Sequence, residues 1–295
     1  MSRRPGWQRA LGDLAGALLP LSVRDLAREL DDRIRKIPTK LNEFGYDPWG
    51  LHPKTVRQGA LLTLLLYRYY FRVETHGIER VPRGGVLLIS NHAGQLPFDA
   101  TMISTAMLLE AEPPRIVRGM AEYWVPELPF VSEIAARGGA VAGTPETCRE
   151  MLEAGEAVLA FPEGVRGMNK LYKDRYRLMR FGLGFMRLAL EARVPIVPIS
   201  VVGSEEQQPG LANWRGLGRA LGMPAFPVTP TFPWLGPLGL LPLPVKYHLW
   251  FGEPLHFEGS PTEEDAAIEE RVEQVRQAIL DGFGRGLEAR HGVFR

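Results

Sequence analysis

Gly85-Val86-Leu87-Leu88-Ile89-Ser90-Asn91-His92-Ala93-Gly94-Gln95-Leu96-Pro97-Phe98-Asp99 joins an apolar run to a loop that carries a histidine and a carboxylate. It opens on an apolar run, residues 85–89, that follows the turn residues Pro82-Arg83-Gly84-Gly85. A short apolar run bounded by turn residues reads as a buried strand. A histidine leaves the end of that strand, Gly94 and Pro97 shape the loop behind it, and Asp99 closes it. In an open α/β sheet the crevice beyond the carboxyl ends of the strands is where ligands bind. His92 and Asp99 are therefore either a base with its orienting carboxylate or ordinary loop residues, and the loop alone leaves both readings open.

Outward from this stretch the chain alternates strand and helix. Strand patterns lie at 72–76, 115–118, 140–142, 157–161, 196–202 and 246–251, with helical patterns at 99–109, 125–135, 145–153 and 182–192. Thr144 and Pro145 supply a cap and a proline at the first helical position of the third of these helices. This alternation implies an α/β fold with a mainly parallel sheet flanked by helices, here preceded by an N-terminal helical segment. Residues 1–50 read as helical, with a helix from about residue 22 to 36 that Ile37-Pro38 ends, followed by a turn, Tyr46-Asp47-Pro48-Trp49-Gly50, with exposed aromatics. A helix over 54–70 carries leucines and tyrosines beside Arg57 and Arg68. It either packs on the sheet or lies in a membrane surface. Residues 209–244 are too rich in proline for helix or central strand and too rich in Leu, Phe and Trp for a solvated loop. They cover the core, or form a flap toward lipid. Ser260-Pro261-Thr262-Glu263 is a capping box opening a long amphipathic helix to about residue 290. The expected organisation is a helical segment over 1–72, packed on the sheet or lying in a membrane surface, an α/β domain over 73–258 and a C-terminal helix over 259–295.

Composition narrows the function classes. The chain has 295 residues, 23% of them charged, with a net charge of +1, which offers no polyelectrolyte surface for nucleic acid. The single cysteine, Cys148, excludes an internal disulfide and fits a reducing compartment. Six scattered histidines show no metal-ligand spacing, so no metal and no cofactor are expected. Asp13 and Pro20 interrupt the N-terminal apolar stretch, which argues against a signal peptide. No apolar run approaches the ~20 residues that span a bilayer. The expectation is a cytoplasmic protein, soluble or peripheral on the inner face of the membrane.

Three further stretches carry chemistry. Phe161-Pro162-Glu163-Gly164-Val165-Arg166-Gly167 follows the strand at 157–160 and so faces the same crevice as His92. Its glycines admit a ligand to the backbone, and Arg166 offers a planar fork for phosphate. A basic tract follows, Arg166, Lys170, Lys173, Arg175, Arg177 and Arg180, interleaved with Tyr172 and Tyr176. It is either a solvated face or an attractor of anionic headgroups. Arg193-Val194-Pro195-Ile196-Val197-Pro198-Ile199-Ser200 most simply shapes an apolar wall.

Asn91-His92, then residues 161–166, then Val194-Pro195-Ile196-Val197-Pro198, in this order and spacing, resemble the glycerolipid acyltransferase family, which acylates glycerol 3-phosphate, lysophosphatidic acid and other lysophospholipids. The resemblance spans roughly residues 70–255, and residues 115–139, with Arg137, are similar to the remaining family block. It implies that His92 takes the proton from an acceptor hydroxyl and that Asp99 holds His92. It implies also that Glu163 and Gly164 shape the acceptor site and that Arg166 and Arg137 bind phosphate. The hydroxyl then attacks an acyl thioester, on coenzyme A or acyl carrier protein, with no acyl-enzyme. The partners implied are a lipid acceptor, an acyl donor and a membrane surface.

Two departures bear on the acceptor. In the family pattern the Asp lies five residues after the His. Here that place is Pro97, Asp99 comes two later, and Gly94 stands where a small hydroxyl residue is common. This longer spacing resembles branches that acylate neutral acceptors such as diacylglycerol. Two rival readings are a thioesterase, which finds no GxSxG elbow in support, and a non-catalytic lipid-binding protein that docks on membranes.

Overall fold

Side chains along residues 86–89 alternate between two cores. Val86 and Leu88 face one and Leu87 and Ile89 the other, all inaccessible to solvent. A period of two with both faces buried is what a central strand of a helix-covered sheet requires. The computed structural model of the protein describes residues 21–94, 96–121, 131–220 and 225–295. Its elements are α1 (Leu21–Arg35), α2 (Pro53–Leu65), β1 (Glu74–His76), β2 (Val86–Ser90), α3 (Phe98–Leu109), β3 (Val117–Ala121), α4 (Val131–Arg137) and β4 (Val141–Ala142). They continue as α5 (Pro145–Glu153), β5 (Ala157–Ala160), α6 (Val165–Met168), α7 (Gly184–Ala192), β6 (Ile196–Val202) and α8 (Ser204–Gln207). The remainder is β7 (Ala212–Trp214), α9 (Arg215–Ala220), β8 (Phe226–Val228), β9 (His248–Phe251) and α10 (Asp265–Ala289). The helical reading of residues 1–20 and the first part of the helix expected over 125–135 lie outside the described residues.

Seven strands form one sheet in the order β1-β9-β6-β2-β5-β3-β4. The five strands from β6 to β4 run parallel, while β9 pairs antiparallel with β6 and carries β1 alongside it. The fold is α/β, as the alternation implies: a mainly parallel sheet flanked by helices, with an N-terminal helix. β2 lies between β5 and β6, so the loops leaving these three strands share one edge of the sheet.

On one face α1, α2 and α3 bury Leu30, Leu64, Met102, Ile103 and Met107 against Val86 and Leu88. The 54–70 helix therefore packs in the core: Leu64, Tyr67 and Phe71 are buried, and Arg57 and Arg68 pair with Asp31 and Glu29 of α1. It ends in a π-helical turn, Leu66–Tyr70. On the other face α5, α7 and α10 cover Leu87, Ile89, Val158 and Val202. Each such buried aliphatic side chain contributes about 1.5–3 kcal/mol.

Three local expectations change. The 46–50 turn is tucked in, with Asp47 buried and bonded to Arg118 at 2.5 Å and Trp49 half-buried beneath that guanidinium. Glu263 does accept the Ser260 N–H at 2.7 Å, as in a capping box, but the helix itself starts at Asp265. The proline-rich region contains a short antiparallel ribbon, β7 with β8, outside the main sheet, and a 3-10 turn over Gly236–Leu240.

Candidate active site

β2 ends at Ser90, and the next side chain extends its ladder by one step. Asn91 Oδ1 accepts the Val201 N–H at 2.8 Å and Asn91 Nδ2 donates to the Val201 carbonyl at 3.2 Å. Asn91 thus fastens the end of β2 to β6 and sets the point from which His92 departs. Gly94 turns the loop at φ +87°, and a Cβ there would lie 2.4 Å from Gln207 Nε2. The left-handed backbone conformation strains any side chain here, hydroxyl-bearing ones included. Pro97 leads into α3, whose second residue is Asp99.

That helical start returns the carboxylate to the histidine. Asp99 Oδ2 accepts from His92 Nδ1 at 2.7 Å and from the Ala93 N–H at 3.0 Å, while Oδ1 accepts the Ala100 N–H at 2.8 Å. Asp99 is fully buried. With Nδ1 donating to Asp99, Nε2 carries the lone pair, and the buried carboxylate favours the imidazolium that protonation would create. The imidazole stacks on Phe161, centroids 4.2 Å apart and planes 25° from parallel.

His92 also lines a cleft of about 450 Å³ walled by Met120, Phe161, Gly182, Phe185 and Leu188. An apolar slot ending at a polarised imidazole suits a substrate that joins an apolar chain to a reactive carbonyl. Cys148 is buried, and burial pushes its thiol up to about 11, which leaves it no role as a nucleophile.

Glu163, expected at the acceptor site, lies behind the loop and is fully buried. Its Oε1 accepts the His92 N–H at 3.0 Å and its Oε2 the Met179 N–H at 2.7 Å. Gly164 takes φ +55° and ψ −147°, a conformation open essentially to glycine alone, and this turn brings the chain back under His92. At Gly167 a Cβ would lie 2.8 Å from the His92 carbonyl oxygen. The 161–167 stretch is thus a brace for the histidine loop. Arg166 is exposed and donates to the Arg180 carbonyl at 3.0 Å. Arg137 is not brought to the site. It precedes β4, whose Val141 is level with Met120 and so with Ile89, whereas His92 follows Ile89. Arg137 pairs with Glu133 and lies over the Tyr46 ring.

The basic tract divides in two. Lys173, Arg175, Arg177 and Arg180 are exposed, but Lys170 is buried, 3.0 Å from Glu205 Oε1 and 3.5 Å from Glu163 Oε2. Tyr176 turns inward to donate to Glu206, which Arg290 of α10 pairs at 2.9 Å. Burial pushes the Glu205 carboxyl up to about 7, with Lys170 holding it back. These groups back the site and none was singled out for this role from the sequence. The available signal was the polar run 204–208 directly after the apolar β6, at the same sheet edge as His92.

A sequence model of the Acyltransferase family matches residues 72–202. An uncharacterized protein of Mycobacterium tuberculosis, Rv0502, is 39% identical over 259 residues, covering 86% of this chain and 71% of the relative. The chain belongs to the Acyltransferase family. A mouse protein described as a DGAT1/2-independent enzyme synthesizing storage lipids is 28% identical over 221 residues, 72% of this chain and 60% of its own. The fold resembles that of the 1-acyl-sn-glycerophosphate (LPA) acyltransferase PlsC from Thermotoga maritima. The TM-score is 0.53 at 17% identity, covering 80% of this chain and 81% of that one. As a member of the family this acyltransferase has His92 and Asp99 in the block that the family model covers.

Proposed function

We propose that the protein moves a fatty acyl group from an acyl thioester, on coenzyme A or acyl carrier protein, to a hydroxyl of a lysophospholipid or related glycerolipid. The observation that carries this reading is the 2.7 Å contact between His92 Nδ1 and buried Asp99 at the mouth of an apolar cleft. The acceptor oxygen attacks the thioester carbonyl carbon as His92 Nε2 takes its proton. The tetrahedral intermediate then collapses with cleavage of the C–S bond, and the imidazolium returns the proton to the departing thiolate. The acyl chain occupies the cleft, and holding both substrates against His92 supplies much of the rate. Arg166 and the exposed part of the basic tract face an anionic headgroup.

A second acceptor class, neutral glycerolipids such as diacylglycerol, has its own support. The seven-residue spacing from His92 to Asp99 resembles neutral-acceptor branches, Arg137 stands away from the site, and one set of relatives carries the storage-lipid description. Incubating the protein with labelled acyl-CoA or acyl carrier protein and a panel of lysophosphatidic acid, lysophosphatidylcholine and diacylglycerol separates the readings. Ester formation on a lysophospholipid supports the first and ester formation on diacylglycerol alone the second. Free fatty acid as the sole product overturns both, and so does a complete lack of turnover.

Access to such acceptors requires contact with a membrane surface. No helix among the described residues is long and apolar enough to cross a bilayer. Trp234, Leu235, Leu238 and Leu241 of the proline-rich segment are all exposed, as is Trp214 of β7. Gln208 ties this segment to the histidine loop, accepting the Leu96 N–H at 3.2 Å and donating to the Leu240 carbonyl. The apolar surface therefore adjoins the site, where it would seat the enzyme on the inner face of the membrane.

A further inference from the structure

At the sheet edge remote from β4, three side chains that play no part in acyl transfer converge. β1 pairs in parallel with β9, placing Glu74 opposite His248 and His76 opposite Trp250. Residues two apart on a strand share a face, so Glu74, His76 and His248 all project to one side. One nitrogen of each imidazole and one Glu74 oxygen lie within 4.8 Å of one another.

The imidazoles lack the partners that buried polar groups require. His248 is almost fully buried, and neither ring nitrogen has a hydrogen-bond partner; His76 Nε2 is likewise buried without one. One nitrogen of each ring converges with the Glu74 oxygen, and such a cluster suits a ligand that accepts an imidazole lone pair.

We propose that Glu74, His76 and His248 form a binding site for a divalent first-row transition ion, with zinc the best match. Two imidazoles and one carboxylate with an open fourth position is a common zinc donor set. Bonds of about 2.1 Å place tetrahedral zinc ligands roughly 3.4 Å apart. Glu74 Oε2 and His248 Nδ1 already stand 3.4 Å apart. Rotation of the half-buried His76 ring, which stacks on Trp250 with centroids 4.1 Å apart, closes the set. Lys246 occupies Glu74 Oε1 and leaves Oε2 for the ion, while exposed Glu74 gives solvent access for entry and for a fourth, water ligand. The ion would fasten the edge strand β1 to β9. No ligand spacing announces the site because His248 lies more than 170 residues from Glu74 in the chain.

The test uses the full chain, stripped with a chelator and titrated with zinc by calorimetry and with cobalt by visible absorption. The expected result is one ion per chain, the d–d bands of a tetrahedral cobalt site, and a rise in melting temperature with zinc. His76→Gln, at a half-buried position, should weaken binding at least ~10-fold and remove the thermal shift. His248→Gln should do the same where it folds, while His256→Gln and His291→Gln, at exposed positions, should leave binding intact. Absence of stoichiometric binding, or binding that His76→Gln leaves unchanged, overturns the proposal.

Discussion

Asp99 receives three hydrogen bonds, from His92 Nδ1 and the Ala93 and Ala100 amides, in a fully buried position. Asn at this position retains the shape but loses the charge and can present an N–H to Nδ1, which inverts the tautomer. Asp99→Asn should therefore lower turnover by at least ~10²-fold with the fold preserved; unchanged turnover in the purified variant would show that Asp99 does not orient the base. Glu205 makes a second prediction. Its carboxyl is raised from 4.5 to about 7 in the folded chain, so the folded state binds the extra proton more tightly than the unfolded one. The stabilisation is present below about 4.5 and is lost as pH rises toward 7, where Lys170 and the Tyr176 N–H only partly compensate the buried charge. Denaturant unfolding of Glu205→Gln should show a smaller loss of stability between pH 5 and 8 than the parent. An identical pH profile would contradict the assignment.

Elements place these residues through backbone lengths rather than single contacts. The His-to-Asp loop is two residues longer than the family spacing, yet α3 starts early enough, at Phe98, to return Asp99 to Nδ1. The opposite face depends on α10. A Cβ at Gly282 would lie 2.1 Å from Ser200 Oγ, which itself donates to the Ile279 carbonyl, and one at Gly286 would meet Val202 at 2.7 Å. Two glycines inside a helix cost it roughly 1 kcal/mol each, and here they permit the helix to seat on β6. Gly282→Ala should consequently destabilise the protein by about 1–3 kcal/mol through overpacking, in spite of alanine's better helix propensity. A rise in melting temperature would show that this close approach is not limiting.

Across the whole molecule, the exposed apolar side chains of the proline-rich segment and the His92 cleft belong to one end of the sheet, the arrangement a membrane-docked acyltransferase would need. Trp234→Ser combined with Leu238→Ser should reduce co-sedimentation with anionic liposomes severalfold while sparing the melting temperature; equal sedimentation would rule out this face. The strand–helix alternation was legible because each strand is a short apolar run between turn residues, and the His92 loop because it follows one. The 161–166 stretch was legible as a partner of that loop, although its Glu163 serves as a buried brace. Lys170 was hidden by its neighbours, since a run of cations does not reveal which member turns inward. Arg137 was assigned to a phosphate site through family likeness; it precedes β4 and so stands toward the amino end of that strand, and strand polarity alone carries that information. The zinc-type cluster was out of reach, because pairing of β1 with β9 is a tertiary fact. The proposed chemistry depends above all on His92 as the general base of an acyltransferase. Acyl transfer from a labelled thioester to the preferred acceptor, measured for the parent and for His92→Ala with matched melting curves, tests it most directly. Loss of at least ~10²-fold is expected in the variant, and equal turnover in the two proteins would rule His92 out as the base.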